Sequence, residues 1–521
     1  MAEDKRSTRE KKTSIKNSVG RLILIALVLL CQLLWVILSL IRLDAEYPIV
    51  LTIVNLLAII LALDVNEKQM NISLKAPILF VLLALPVLGV VFMLMTGIGS
   101  NLPKTRKRFK NIDDRLKPYL ETDDKTVEKV REEDKTIASM FDYLRDFAGY
   151  PVHPDSDISF YPDATLCLEK MKEDLRNAEE FIFMEYHAIE DAQAFSGVFE
   201  ILKEKAGSGV EVRILYDDIG SFVFISKAFI RKLNAAGIKC CAFNPMMPIY
   251  NLFINNRDHR KLTLIDGKVG FTGGFNLANE YFNITSPYGY WKDSGVRVEG
   301  RAVDNMTAMF LQMWNSIKKN SIDEDLSRFF NGAGADVDSH AFIAPYADSP
   351  IDGESVGENV YMNIINSATD YVWFMTPYLI ITDDMKRMIV LAAKRGVDVR
   401  IIVPGIPDKK TTYQITKSYF QELAPYGVKI YTYTPGFCHA KECVSDDKIA
   451  TCGTINLDYR SLYHNFEDGV LMYQTDSISD IKQDFIDTFP QCEDVTDNYK
   501  VRRKGYVRIF RSILRLLAPL F

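Results

Sequence analysis

Histidine is scarce in this chain, six among 521 residues, and its eight cysteines form no CxxC pair and no Cys/His ligand spacing. That absence argues against a structural zinc or a disulfide framework and leaves reduced thiols facing the cytosol as the simplest expectation. No Asp/Glu cluster has the look of a magnesium or calcium site, so neither a metal nor another cofactor is expected. Charge of one sign is also lacking. A net charge of -6 argues against a groove for a nucleic acid. No small-residue cleavage site follows the first apolar run, which argues against a signal peptide.

Two of those few histidines open the same pattern. His259-Arg260-Lys261 is followed by Asp266 and Gly273-Gly274-Phe275-Asn276, and His439-Ala440-Lys441 by Asp446 and Gly453-Thr454-Ile455-Asn456. In both copies Lys lies at +2, Asp at +7 and Asn at +17 from the His. The surroundings repeat as well: Gly209-Val-Glu-Val-Arg-Ile214 matches Gly396-Val-Asp-Val-Arg-Ile401. A strand, helix, strand order recurs with it, over Phe181–Tyr186 and Val210–Tyr216, then Tyr371–Thr376 and Val397–Val403. The expected fold class is therefore α/β, two duplicated units with mixed sheets flanked by helices, spanning 155–330 and 345–495. Two such units pack about a pseudo-two-fold axis, so the motifs should line one shared cleft.

Ahead of the duplication the chain is of another kind. A basic segment, 1–21, precedes an anchor over 22–97 with apolar runs at Leu22–Ile41, Tyr47–Leu63 and Ala76–Gly97. Twenty apolar residues rise roughly 30 Å, enough to cross a bilayer core. Basic clusters flank both ends of the anchor, which satisfies the positive-inside rule only for an even number of crossings. Either one run, by expectation the short second one with Pro48 and Asn55, is re-entrant or interfacial, or the rule is violated at one end. The anchor is read as two or three helices, multi-pass, with the catalytic part on the cytoplasmic side of a bacterial cell membrane. Residues 98–154 read as a charged linker and lead-in helix. At the other end, 500–521 places Lys504, Arg508, Arg511 and Arg515 on one helical face, which suits an anionic membrane surface.

Paired imidazoles suit phosphoryl chemistry. One attacks phosphorus while the other protonates the departing alkoxide. Lys261 and Lys441 with Asn276 and Asn456 would supply donors around the phosphate oxygens. Carboxylates that hold the imidazoles are expected downstream, Glu467 in the second half and Asp293 in the first. Asp266 and Asp446 fall at odd spacing from their histidines and serve either the chemistry or the turn that follows the strand. His153, His187, His340 and His464 are read as ordinary packed histidines, and Cys438 and Cys443 as small packing residues.

These residues resemble the phospholipase D superfamily, whose pattern is His-x-Lys-x4-Asp followed by Gly-(Gly/Ser/Thr)-x-Asn in two copies. Within it the chain is most similar to bacterial cardiolipin synthases, through Phe183-Met184-Glu185-Tyr186, Thr376-Pro377-Tyr378, Asn456-Leu457-Asp458-Tyr459-Arg460-Ser461 and Asn465-Phe466-Glu467. The resemblance implies condensation of two phosphatidylglycerol molecules into cardiolipin and glycerol. It also implies His259 as nucleophile, His439 as acid then base, and Lys261, Asp266, Lys441 and Asp446 in the catalytic set. Anionic lipids and the membrane are the implied partners. The alternatives are a hydrolase of the phospholipase D type, a transphosphatidylase using another alcohol, and a non-enzymatic lipid-binding scaffold. Two departures stand out. Glu442, Cys443 and Ser445 make the second motif strand more polar, hence less buried by expectation, and His187 stands where a second aromatic is common.

Overall fold

The computed structural model describes residues 47–68, 71–96, 103–120, 125–245, 256–317, 325–331, 341–501 and 515. The basic N-terminus, the first apolar run, His340 and, apart from Lys500, Val501 and Arg515, the basic C-terminal segment lie outside the described residues.

One described helix, Pro48–Glu67, is long and apolar enough to cross a membrane, with a mean hydropathy of 2.4. It is the run expected to be re-entrant. The third run is instead the broken one, forming helices Ile72–Ala84 and Pro86–Thr96. Pro86 lacks the N–H that would continue the first of these, so a new helix starts there. The second helix folds back so closely that a Cβ on Gly89 would lie 2.6 Å from Leu82 Cα. A multi-pass anchor is thus not supported by the described residues.

The lead-in segment is also divided. Helices Lys125–Glu133 and Lys135–Tyr143 meet at Asp134, whose carboxylate accepts from Thr136 N and Ile137 N and caps the second helix. Before them, helix Pro103–Leu116 lays Phe109 on Phe466, with ring centroids 5.4 Å apart.

The two halves repeat one sheet. In the first, seven strands run in the spatial order Ser156–Tyr161, Gly295–Gly300, Val269–Gly273, Lys261–Ile265, Phe181–Tyr186, Glu211–Asp217, Lys239–Phe243. In the second, the order is Phe342–Asp348, Asn465–Tyr473, Ile449–Gly453, Glu442–Ser445, Tyr371–Met375, Asp398–Pro404, Lys429–Tyr433, with Cys492–Asp494 added at the edge. The last three strands of each seven are parallel and the others antiparallel, so the sheets are mixed. Helix Val303–Ile317 is buried along nearly its whole length. A single apolar core runs from Phe183, Leu262 and Met309 of the first half into Ile343, Val372 and Val470 of the second.

The polar second motif strand is not less buried. Every residue of Glu442–Ser445 is buried, because the strand is held between Tyr371–Met375 and Ile449–Gly453. Its one acidic side chain sits beside Asp484, which is paired with Lys292 at 2.8 Å. Central position in the sheet overrides composition here.

Candidate active site

Each motif histidine sits at the end of a short strand that leaves its own half. Arg257–Asp258 pairs in parallel with Asn465 and Phe466 of the other half, and His259 N donates to Phe466 O at 2.9 Å. Reciprocally, Gly436–Cys438 pairs in parallel with Tyr290–Lys292, and His439 N donates to Lys292 O at 2.7 Å. The residue after Phe466 is Glu467 and the residue after Lys292 is Asp293. Both carboxylates therefore reach across the pseudo-two-fold axis. His259 Nδ1 lies 2.8 Å from Glu467 Oε2, and His439 Nδ1 lies 2.7 Å from Asp293 Oδ2. An ionised carboxylate only accepts, so each Nδ1 carries a proton, which leaves Nε2 to hold either a lone pair or a second proton.

Asp293 and Glu467 are equivalent in the sheets despite their different distances from the motifs. Asp293-Ser294-Gly295 and Glu467-Asp468-Gly469 bring their glycines opposite Gly273 and Gly453. The longer spacing in the first half is taken up by the loop that carries the turn Asn279–Phe282. The carboxylates are fitted differently. A Cβ on Gly274 would lie 1.9 Å from Asp293 Oδ1, so only glycine leaves room for the short side chain. Its counterpart Thr454 instead donates from Oγ1 to Glu467 Oε2 at 2.6 Å, and Asn465 Nδ2 donates to Glu467 Oε1 at 3.1 Å.

Both histidines line one cavity of about 430 Å3, together with Asn276 and Asn456. Lys261 and Lys441 are buried directly beneath. Lys261 Nζ donates to His259 O at 2.7 Å, and Lys441 Nζ lies against both His439 O and, at 2.9 Å, His439 Nδ1. Asn276 Oδ1 accepts from Ala188 N at 3.1 Å, and its amide donates to Tyr281 Oη at 2.7 Å.

Asp266 and Asp446 do not line the cavity. Both have φ of 54° in the turn after the motif strand. The Asp266 carboxylate accepts from the backbone N–H groups of Glu179, Glu180 and Phe181, each at 2.8 Å. Asp446 accepts from those of Thr369, Asp370 and Tyr371 at 2.7, 3.0 and 2.8 Å. Each clamps its hairpin to the start of the neighbouring strand, and the geometry supports the turn-fixing role over a chemical one.

A family model described as cardiolipin synthase, PLD-like domain, matches residues 171–314 and 361–489, one segment in each half. The chain belongs to that family. A cardiolipin synthase of Halalkalibacterium halodurans is 32% identical over 444 residues, covering 85% of this chain and 88% of the relative. A cardiolipin synthase of Clostridium perfringens is 35% identical over 448 residues, covering 85% of this chain and 93% of the relative. Among solved structures, a phosphatidylserine synthase of Haemophilus influenzae shares the fold, with a TM-score of 0.55 at 14% identity over 74% of this chain and 98% of that one.

In this member of the cardiolipin synthase family the two imidazoles meet different fields. Burial, then the charges of Lys261, His187, Lys441 and His439, holds His259 well below its ordinary pKa. Burial and Lys441 press His439 down to about 4, against the pull of Asp293. Burial alone would raise Asp293, but His439 and Lys441 hold it below the usual carboxylate range. Burial pushes Glu467 up, against Lys261 and the donors that converge on it. Burial also lowers Lys441 to about 7. Among the described residues no group of three or more His, Cys, Asp or Glu side chains is placed to hold a metal ion.

Several cavity residues were not singled out by the motif. His187, read as an ordinary packed histidine, sets its ring 5.1 Å from that of His259 at 67° and is fixed by a 2.7 Å contact from Nδ1 to Asp258 O. Arg257, Arg460 and Lys409 add positive charge to the wall, and Glu280, Asp408 and Asp458 add negative charge. The first arginine lies two residues before a motif His and was visible in the sequence. The loop residues carry no repeated spacing and become neighbours only in the fold.

Proposed function

We propose that this phosphatidyltransferase condenses two phosphatidylglycerol molecules into cardiolipin and glycerol through a phosphatidyl-histidine. The supporting observation is that two imidazoles from equivalent points of the duplicated halves line one cavity, each with Nδ1 tied to a carboxylate. His259 is the nucleophile. The positive groups around it favour the neutral ring, and Glu467 holds that ring in the tautomer with a free Nε2 lone pair. His439 is the acid and then the base, because the ionised Asp293 beside it stabilises an imidazolium whenever one forms.

The steps balance. His259 Nε2 attacks phosphorus, the bond from phosphorus to the glycerol oxygen breaks, and that oxygen takes the proton of the His439 imidazolium. A hydroxyl of a second phosphatidylglycerol then gives its proton to His439 and attacks phosphorus, and the phosphorus to nitrogen bond breaks. Lys261, Lys441, Asn276 and Asn456 supply positive charge and amide donors as negative charge spreads over the phosphoryl oxygens.

Membrane association agrees with this reading, since helix Pro48–Glu67 has the length and apolarity of a bilayer crossing. We place the catalytic halves at the cytoplasmic face of a bacterial membrane. Basic Lys104, Arg106, Lys107 and Lys110 follow the anchor, and seven cysteines of the described residues are free thiols.

The full-length protein, incubated with labelled phosphatidylglycerol vesicles and a chelator, is expected to yield cardiolipin and glycerol in equal amounts. Phosphatidic acid in place of cardiolipin would assign hydrolysis instead. With lipid-labelled phosphatidyl-p-nitrophenol as donor, whose leaving group needs no proton from His439, an alkaline detergent quench should trap labelled protein in His439→Gln and none in His259→Gln.

A further inference from the structure

The cavity is unevenly charged, with Asp458 lying within the fields of both Arg460 and Lys409. Arg257 and Arg460 belong to the His259 end: the first lies two residues before that histidine, and the second adds its charge to the field at His187. Such a wall suits a phosphodiester. The His439 end carries Glu280 and Asp408, which repel one. Tyr281 ties these acids to that end, because its ring lies 5.4 Å from that of His439 and both carboxylates act on its hydroxyl.

Asp408 is only half satisfied. Its Oδ2 accepts from Tyr378 Oη at 2.5 Å, while Oδ1, closed off from solvent, has no hydrogen-bond partner. Asn456 Oδ1 is a second acceptor without a partner, on a side chain 5% exposed in the same cavity. Glu280 comes close enough that the Asp408 charge, after burial and Glu190, raises its carboxyl. Carboxylate oxygens are acceptors only and bind hydroxyl donors strongly when desolvated. The aromatic faces of Tyr288 and Phe437, with centroids 6.2 Å apart, suit the C–H side of a small polyol. At the rim the exposed Lys409 ammonium lies 3.9 Å from Asp408 Oδ2.

We propose that Asp408 and Glu280 form an acceptor subsite that recognises the vicinal hydroxyls of a glycerol headgroup and so selects a glycerol-bearing alcohol to resolve the covalent intermediate. The subsite rests on the transfer reaction proposed above and adds its selectivity. The two acids keep a second phosphate out of the inner cavity and turn the acceptor lipid hydroxyl first, with its own phosphate near Lys409. The same groups hold the glycerol that departs in the first step, since that step leaves an identical polyol beside His439. In each transfer to an acceptor the hydroxyl proton goes to His439, a phosphorus to oxygen bond forms, and the bond to His259 breaks.

The test is a competition in the full-length protein. Phosphatidyl-p-nitrophenol serves as donor, because its leaving group needs no polyol contact, and glycerol and ethanol compete at equal concentration. Wild type should give phosphatidylglycerol well in excess of phosphatidylethanol. The double variant Asp408→Asn, Glu280→Gln should lower that ratio about tenfold, as expected for losing one or two hydrogen bonds to charged acceptors. The ratio is independent of how much enzyme folds. Tyr378→Phe, which frees Asp408 Oδ2, should shift it less. A ratio unchanged in the double variant overturns the subsite, as does a wild type that takes both alcohols equally. If wild type makes no cardiolipin from phosphatidylglycerol yet shows the glycerol preference and the double variant loses it, the overall reaction is misread and the subsite stands.

Discussion

Gly274→Ala is the sharpest test of the crossed pairing. The new methyl would lie 1.9 Å from Asp293 Oδ1, 2.9 Å from its Cγ and 2.9 Å from His439 O. Carbon and oxygen cannot approach so closely, and main chain lies on the other side, so the Asp293 carboxylate must swing off His439 Nδ1. Lost with it is a charge-assisted hydrogen bond, 2.7 Å long in the unperturbed site. Such bonds contribute about 1.5–3 kcal/mol, which as transition-state stabilisation is roughly a ten- to hundredfold fall in kcat. Overpacking adds about 1–3 kcal/mol of lost stability. The affected residue is the histidine of the opposite motif, not that of the motif containing Gly274.

This makes the assay specific. If His439 protonates the leaving group, a donor lipid with p-nitrophenol in place of glycerol no longer needs that proton. The release of p-nitrophenol in the first turnover should then recover in Gly274→Ala and in Asp293→Asn. It should not recover in Glu467→Gln, where His259, the proposed nucleophile, loses its orienting partner. Recovery in Glu467→Gln alone, or full activity of Gly274→Ala on phosphatidylglycerol, would refute the pairing.

Three further outcomes follow from the same geometry. Asp266→Ala removes the acceptor for three backbone N–H groups and should lower stability by about 2–4 kcal/mol, read as a drop in denaturation midpoint; an unchanged midpoint contradicts the clamp. His153, buried and bonded to Asn305, is pressed by burial from 6.5 to about 4, so the unfolded chain takes up its proton first as pH falls. Stability on its account is intact above about 6.5 and declines by about 3 kcal/mol as pH drops through 4; a denaturation midpoint constant across that window in wild type would count against it. Phe109→Ala deletes a ring stacked on Phe466 and should cost about 3–5 kcal/mol. It should also reduce kcat, because Phe466 precedes Glu467; calorimetry with kinetics separates the two effects.

Much of the machinery was legible in the chain. Histidine, lysine and asparagine recur at equal spacing, and a strand pattern such as Phe181–Tyr186 is local, carried by apolar side chains that only a sheet interior accommodates. Asp293 was harder to see, yet Asp293-Ser294-Gly295-Val296 and Glu467-Asp468-Gly469-Val470 share a frame that the sheets superpose. The order of the second and third apolar runs was not legible, because flanking charge bears on the number of crossings and not on which run turns back: Pro48–Glu67 is one long helix, whereas the third run breaks at Pro86.

What the amino-acid sequence determined by itself was the duplicated set of His, Lys and Asn side chains proposed to react, since those depend on residue type and spacing along one strand. Tertiary structure alone decided which carboxylate serves which histidine, and which loop residues share their cavity. The reason is that the strand before each histidine hydrogen-bonds to the opposite half. Partners are therefore chosen across the axis, where separation along the chain carries no information.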